Sequence, residues 1–322
     1  MSPPTYDDVL QAHTVVRKHL QPTLLYDWPL LKKRLGFTFY LKHENHQPTG
    51  AFKVRGGVNL VSQLSDDERT RGIIACTTGN HGQSLAFAAQ RFGARCVLVV
   101  SENNNSDKNA AMRALSAELV EHGRDFDDAM AHCEELAQRF NYRYVHSANE
   151  PQLIAGVGTM ALEIFEELPN PDVVLVPVGL GSGVCGAAIV AAQRSPSTKL
   201  IGVQAAGAPA VAETWKLGRE IRHESVYTVA EGLATRAPAQ LTMEIMRRHV
   251  HDMVLVTDEE LREAARWILA ATHNLPELAG AAATAAAWKL REQLRGKVVV
   301  GSLSGGNCDL RQLASLLSDD PG

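Results

Sequence analysis

Short apolar stretches that favour strands alternate along this chain with longer stretches of helical periodicity. Apolar side chains fill Cys96–Val100 and nearly all of Val173–Val178, which is typical of strands buried on both faces of a parallel sheet. The other predicted strands are Phe37–Lys42, Ile73–Thr77, Glu118–Glu121, Leu200–Gln204, Met253–Val256 and Val298–Leu303. The helices predicted between them include Gly82–Phe92, Phe126–Phe140, Val184–Gln193 and Asp258–Ala271. This alternation predicts an α/β fold with mainly parallel sheets.

The loops that follow the strands are where a binding site is expected, because ligands of open parallel sheets bind at the carboxyl ends of the strands. The segment Thr49–Gly57 carries Lys53 at a turn that opens a helical stretch, with Phe52 and Val54 on either side. A lone lysine is usually a solvated surface residue. A lysine desolvated near a helix start, however, has a lowered pKa and can act as an amine nucleophile.

A second loop, Thr77–Gly82, directly follows a predicted strand and opens a helix. Its two hydroxyls, its amide and its backbone N–H groups are suited to binding a carboxylate, because helix N-termini favour anions. The same residue types are equally typical of a simple helix cap. From this loop alone, the two interpretations have equal weight.

A third loop, Gly179–Gly183, is rich in glycine and precedes an apolar helix. Its backbone N–H groups and the Ser182 hydroxyl are suited to binding a phosphate. Gly181, Gly183 and Gly186 also match the dinucleotide fingerprint, which requires an acidic residue after the next strand. That strand is predicted to end at Gln204, so the sequence favours a monophosphate over NAD.

A fourth loop, Ser304–Asn307, follows the strand predicted at Val298–Leu303. The residues are typical of a tight turn, but the Ser304 hydroxyl could also bond a heterocyclic nitrogen. A nucleophilic lysine, an anion cradle, a phosphate cup and a partner for a ring nitrogen are together what pyridoxal 5′-phosphate (PLP) requires.

The overall composition excludes several other classes of function. The chain has 322 residues and a formal charge of −4, without a basic block suited to nucleic acid or an anionic membrane. No apolar run reaches the roughly 20 residues of a membrane span, and the first residues do not resemble a signal peptide. The five scattered cysteines form no CxxC pair, which favours reduced thiols over a zinc site or a disulfide framework.

From about Tyr6 to Leu317 the chain resembles the fold-type II PLP enzymes, and within them the threonine dehydratase and serine racemase family. The segments that carry the resemblance are Lys42–Gly57 (KHENHQPTGAFKVRGG), Thr77–Gln83 (TTGNHGQ), Ile154–Ile164 (IAGVGTMALEI), Pro177–Gly186 (PVGLGSGVCG) and Ser304–Asn307 (SGGN). The resemblance implies two open, mainly parallel sheets flanked by helices, as in the tryptophan synthase β-like fold. It also implies a large domain, residues 1–69 and 149–322, and a small mobile substrate-binding domain, residues 70–148.

The resemblance also implies a role for each matching residue. Lys53 would hold PLP as an internal Schiff base and then take the α-proton of the substrate, and Ser304 would face the pyridine nitrogen. The other implied cofactor-binding residues are Phe52 at the ring, Asn80 at the ring oxygen, and Gly179, Leu180, Gly181, Ser182 and Gly183 at the phosphate. The implied substrate-binding residues are Thr77, Thr78, Gly79, Asn80 and His81. Thr78 is also a catalytic candidate, because the racemases of the family carry a serine there.

The chain departs from the family at a divalent-cation site. The carboxylates found there in relatives correspond to Gln204 and Ala210, so no divalent ion is expected. Glu277 matches a family acid near the cofactor and could instead help to bind a monovalent cation. His43, Glu44 and His46 resemble another metal cluster, but on a strand the side chains at positions 43 and 46 would point to opposite faces. We therefore predict no metal there.

The expected activity is elimination of water and ammonia from a β-hydroxy-α-amino acid, giving a 2-oxo acid. Threonine and serine are the expected substrates, phenylserine is a further candidate, and hydroxyaspartate ranks lower because no arginine marks a second carboxylate. The alternatives are a serine racemase-like activity, a cysteine synthase-like β-replacement, and a nucleotide-binding regulatory module, which would leave Lys53 and Ser304 without a role. A cytoplasmic homo-oligomer, a dimer or tetramer, is expected.

Overall fold

A computed structural model describes residues 2–318 of the chain. Its strands are β1 Leu25–Asp27, β2 Thr38–His43, β3 Ile73–Cys76, β4 Cys96–Val100, β5 Glu118–Glu121, β6 Arg143–Tyr144, β7 Val173–Pro177, β8 Lys199–Ala205, β9 Asp252–Val256 and β10 Val298–Leu303. All eight strands predicted from the sequence are present, and their ends differ from the prediction by one residue at most. The short strands β1 and β6 were not predicted, because runs of three and two residues are too short to show periodicity.

The helices lie between the strands and cover both sheets. They are α1 Tyr6–His19, α2 Pro29–Leu35, α3 Lys53–Ser62, α4 Asp66–Arg71, α5 Asn80–Phe92, α6 Ser106–Ala114, α7 Phe126–Phe140, α8 Pro151–Glu167, α9 Ser182–Arg194, α10 Ala210–Leu217, α11 Gln240–His249, α12 Asp258–Thr272, α13 Ala282–Lys289, α14 Arg291–Leu294 and α15 Leu310–Leu317. Short 3₁₀ turns occur at Glu44–His46, Glu231–Leu233 and Leu278–Ala281. No helix within residues 2–318 has both the length and the apolar character needed to cross a bilayer.

The strands form two separate sheets. One has six strands in the order β1-β2-β10-β7-β8-β9, with every neighbouring pair parallel except β1 and β2. The other has four parallel strands in the order β5-β4-β3-β6. The predicted α/β fold with two open, mainly parallel sheets is therefore confirmed. The four-stranded sheet draws only on residues 73–144, whereas the exact domain limits at 70 and 148 stay a prediction.

The six-stranded sheet is apolar on both faces, which explains the uninterrupted apolar run in β7. Leu175 belongs to one hydrophobic core together with Phe39 of β2. Its neighbours Val174 and Val176 point to the opposite face and join a second core with helix α9. Helices must therefore cover both sides of this sheet, so the strand ends are left as the accessible surface on which a site can form.

Candidate active site

The four loops singled out in the sequence meet at the carboxyl ends of strands β2, β3, β7 and β10. Each loop is joined to at least one other by a direct hydrogen bond. The bonds are Lys53 Nζ to Ser182 Oγ at 3.0 Å, Phe52 N–H to Ser304 C=O at 3.0 Å, Asn307 Nδ2 to Thr49 C=O at 2.9 Å and Asn307 Nδ2 to Asn80 Oδ1 at 2.7 Å. Residues far apart in sequence thus meet at one place at the strand ends, which we call the cleft.

Lys53 is the first residue of α3, and its side chain is only partly exposed. Its ammonium nitrogen donates to Ser182 Oγ and to the backbone oxygen of Ser147, each at 3.0 Å. Desolvation by the surrounding protein lowers the pKa of Lys53 to about 8. Near neutral pH the neutral amine, which nucleophilic attack requires, is therefore populated far more than in a lysine of ordinary pKa.

The glycine loop after β7 presents its backbone to the cleft. Gly181 adopts a left-handed conformation, with φ of +99°, immediately before α9 begins at Ser182. A Cβ atom at Gly179 would lie 2.5 Å from the backbone oxygen of Gly232, and one at Gly183 would lie 3.1 Å from the Phe52 ring. The first N–H groups of α9 have no partner within the helix, so this loop is suited to an anion.

The loop after β3 combines a structural cap with groups that remain available. Thr77 is buried, and its hydroxyl oxygen accepts the backbone N–H groups of Gly79 and Gly82, each at 3.0 Å. Its oxygen is thus used to cap α5, whereas the neighbouring Thr78 is exposed. His81 is buried, and desolvation, followed by the charge of Lys53, lowers its pKa to about 3. His81 is therefore neutral at physiological pH.

Asn80, Asn307 and Glu277 form a hydrogen-bonded polar network at the cleft. The Asn80 amide donates to Glu277 Oε1 at 2.8 Å, and its oxygen accepts from Asn307. Glu277 is 8% exposed, and desolvation raises the pKa of its carboxyl group. Ser304 is 6% exposed, and within residues 2–318 its hydroxyl makes no hydrogen bond. That hydroxyl remains available to a bound group.

A buried cluster of four charged residues was missed in the sequence. Arg55 Nε donates to Glu44 Oε2 and Arg55 Nη1 to Glu163 Oε1, each at 2.7 Å, while Lys42 Nζ lies 2.7 Å from Glu163 Oε2. None of the four side chains is more than 5% exposed. The cluster could have been suspected from charged residues within otherwise apolar segments, such as Glu163 in the apolar segment that forms α8. Since Arg55 is two residues from Lys53, the cluster anchors the helix that carries the lysine.

The expectation that His43 and His46 face opposite sides is wrong. Strand β2 ends at His43 and a 3₁₀ turn follows, so the two rings stack with centroids 5.1 Å apart.

Gln204 corresponds to a carboxylate of the family's divalent-cation site. It donates to Thr235 Oγ1 at 3.3 Å and accepts from the backbone N–H of Ala212 at 2.9 Å. Across residues 2–318, no group of three or more His, Cys, Asp or Glu side chains is arranged to hold a metal ion.

Comparison with known proteins shows similarity along nearly the whole chain. Residues 16–305 match a family model described as pyridoxal-phosphate dependent enzyme. The chain is 35% identical over 314 residues to L-threonine ammonia-lyase of Thermotoga maritima, covering 98% of this chain and 78% of that protein. The solved structure of threonine deaminase isoform 2 from Solanum lycopersicum has a TM-score of 0.91 at 30% identity, covering 98% of this chain and 94% of the other. Maize serine racemase has a TM-score of 0.92 at 25% identity, covering 97% and 96%.

Proposed function

Because the chain belongs to the family of pyridoxal-phosphate dependent enzymes, we propose that it removes water and ammonia from L-threonine or L-serine, with phenylserine as a further substrate. The reaction class is the β-elimination of an ammonia-lyase, and the products are a 2-oxo acid and ammonia. The observation that carries the proposal is the contact between the Lys53 amine and Ser182 of the glycine loop at 3.0 Å.

The residues at the cleft fit PLP. Its aldehyde and its phosphate-bearing carbon are on adjacent ring positions, so the reactive lysine must lie beside the phosphate loop, as Lys53 does. When bound, PLP supplies a carbonyl group that links to amines and draws electrons away from the α-carbon. The residues proposed to hold it are Lys53 at the aldehyde, Phe52 and Asn80 at the ring, Ser304 at the ring nitrogen, and Gly179, Leu180, Gly181, Ser182 and Gly183 at the phosphate.

The protein groups have separate tasks in this reaction. Lys53, whose pKa is lowered to about 8, takes the α-proton as a neutral amine, a role commonly worth about 10²–10⁴ in rate. The loop from Thr77 to Gly79 and the first residues of α5, Asn80 and His81, bind the substrate carboxylate, because free N–H groups and the helix dipole favour an anion there. The Thr77 hydroxyl contributes by holding this loop in place through the N–H groups of Gly79 and Gly82. His81 stays neutral and can accept or donate one hydrogen bond without adding charge. The α-proton taken by Lys53 balances the proton that the β-hydroxyl needs to leave as water. Hydrolysis of the released enamine then consumes one water and gives ammonia.

We predict that cofactor-free protein captures PLP faster as the pH rises from about 6.5, with half the maximal rate near pH 8 and a plateau from about pH 9. The rate follows the neutral fraction of Lys53, which increases as pH rises through its pKa of about 8. Stopped-flow absorbance after mixing with PLP measures this dependence. A capture rate that still climbs steeply between pH 9 and 10.5 would mean that the lysine is not desolvated.

The activity is tested with a panel of β-hydroxy amino acids. Production of a 2-oxo acid is measured with threonine, serine, phenylserine and hydroxyaspartate, and ammonia is measured alongside. We expect turnover of threonine or serine above that of hydroxyaspartate. Absence of 2-oxo acid from all four, together with cysteine formation from O-acetylserine and sulfide, would replace elimination by β-replacement.

An accompanying racemase activity is a second candidate, favoured by the exposure of Thr78. Its hydroxyl lies in the loop proposed to hold the carboxylate and is not buried as that of Thr77 is. A hydroxyl there could return a proton to the α-carbon from the side opposite Lys53. Chiral analysis of serine recovered after partial turnover tests this: D-serine formation that is lost in Thr78→Val supports it, and recovery of pure L-serine excludes it.

We also propose the division into residues 1–69 with 149–322 and residues 70–148, with closure of the smaller domain on the substrate. The separation of the strands into two sheets supports it.

A cytoplasmic homo-oligomer is proposed as well. Exposed apolar side chains beside the edge strand β1, those of Leu24, Tyr26 and Leu30, support association, which sedimentation would measure. A monovalent cation near Glu277 stays a prediction.

A further inference from the structure

Helix α3, which begins at Lys53, is attached to the six-stranded side of the molecule by directional contacts. Its third residue, Arg55, is bonded through two nitrogens to Glu44, next to strand β2, and through two to Glu163 of α8. The backbone also approaches α8 closely, since a Cβ atom at Gly156 would lie 2.6 Å from the Arg55 carbonyl oxygen. The first turn of α3 is therefore held firmly relative to the large sheet.

The opposite side of α3 packs against α5, which connects strands β3 and β4 of the four-stranded sheet. Much of this contact is apolar, and Val54, Val58 and Leu85 belong to one hydrophobic core. Apolar contacts are non-directional and permit small displacements of one helix along another. They hold the two helices together, but they restrict the relative position of the helices less than a hydrogen bond does.

One side chain adds a directional bond across this contact. Ser84 of α5 is completely buried, and its hydroxyl donates to the backbone carbonyl oxygen of Lys53 at 2.7 Å. Gly57 makes room for it, because a Cβ atom there would lie 2.3 Å from Ser84 Oγ and 2.5 Å from the Ser84 carbonyl oxygen. The bond joins the reactive lysine to α5, the helix whose first turn is proposed to hold the substrate carboxylate.

We propose that Ser84 is a positioning residue, whose bond to the Lys53 carbonyl sets the register between the substrate-binding start of α5 and the base. The α-carbon of a substrate lies between its carboxylate and the lysine that takes its proton. A shift of α5 against α3 therefore changes the distance over which the proton moves. Misplacement of reacting groups by about 1 Å can cost a factor of about 10² in rate. This inference rests on the proposed elimination.

The expected effect of Ser84→Ala is a roughly tenfold fall in kcat, with KM changed less than about twofold. If proton transfer becomes slower, the primary isotope effect on kcat with α-deuterated substrate should increase. Ser84→Cys keeps the shape but has only a weak S–H donor, so an intermediate loss is expected. The matched control is Thr198→Ala, which removes another buried hydroxyl that donates to a backbone oxygen, that of Pro171 at 2.6 Å, away from both helices.

A second measurement does not depend on turnover. Hydrogen exchange of cofactor-free protein should become several-fold faster in the peptide 53–62 of Ser84→Ala but not of Thr198→Ala, since the first turn of α3 loses its bond to α5. Unchanged exchange, or a kcat and isotope effect equal to those of Thr198→Ala, would overturn the role of Ser84. If the wild-type protein eliminates no β-hydroxy amino acid, the proposed function fails, while the exchange experiment still decides whether Ser84 holds the register.

Discussion

Replacing Lys53 by alanine should lower kcat for 2-oxo acid formation by about 10³-fold or more and remove the visible absorbance of the lysine-bound cofactor. The reason is that one amine is proposed both to attach the cofactor and to take the α-proton, and proton transfer alone is commonly worth about 10²–10⁴ in rate. Lys53, the first residue of α3, is the amine in contact with Ser182 of the glycine loop. The measurements are an absorbance spectrum of the purified variant and steady-state kinetics with threonine and serine.

A lysine outside the cleft provides the control. Lys289 is exposed and pairs with Glu260 at the surface, so Lys289→Ala should keep the spectrum and kcat of the wild type. Addition of a small primary amine should partly restore turnover by Lys53→Ala, since it can supply the missing base. A Lys53→Ala protein that is fully active without such an amine would end the assignment of this residue.

The second large effect is expected on stability. Arg55→Ala should reduce the free energy of unfolding by about 3–5 kcal/mol, because it leaves two buried carboxylates with one remaining cation. Desolvation opposes the charge of Arg55, but hydrogen bonds and charge interactions with Glu44 and Glu163 raise its pKa above the ordinary value. Arg55 therefore stays charged, and its removal leaves the negative charges of Glu44 and Glu163 only partly neutralised. Urea denaturation of the wild type and the variant measures the difference.

A solvent-exposed ion pair between an arginine and a glutamate is the control that tests whether burial causes the loss of stability. Arg95 is bonded to Glu118 at 2.6 Å, but the two side chains are 46% and 54% exposed. Arg95→Ala should therefore change the free energy of unfolding by less than about 1 kcal/mol. Arg55→Ala within 1 kcal/mol of the wild type would mean that water or a rearranged Lys42 compensates the carboxylates, and that the cluster does not anchor α3.

The position of the site could be inferred from sequence because it depends on the order of neighbouring strands, loops and helices along the chain. A strand that is followed by a loop and a helix delivers the loop to the carboxyl end of a parallel sheet, whatever the partners of the strand. Lys53, Ser182 and Ser304 each follow a predicted strand, and the structure brings their loops to one cleft. The strand pattern also sufficed for the fold class, because β7 is apolar on both faces.

The order of elements along the chain was not enough to predict the contacts of a residue that has more than one possible partner. Thr77 could have been a carboxylate ligand or a cap, and only the folded chain shows its oxygen bonded to two backbone N–H groups of its own loop. The relation of His43 to His46 depended on where β2 ends, and strand ends are set by pairing with neighbouring strands. Periodicity alone does not contain that information.

The sequence by itself determined the order of strands and helices and the loops at the strand ends, including the loop that carries Lys53, since periodicity and residue type act over a few neighbouring positions. Only the tertiary structure decided which distant side chains meet. Lys42 and Glu163 are 121 positions apart, yet they form one buried ion pair, and Ser84 bonds the carbonyl of Lys53 from another helix. These contacts arise from packing the two sheets and their helices together, and packing depends on the whole chain at once.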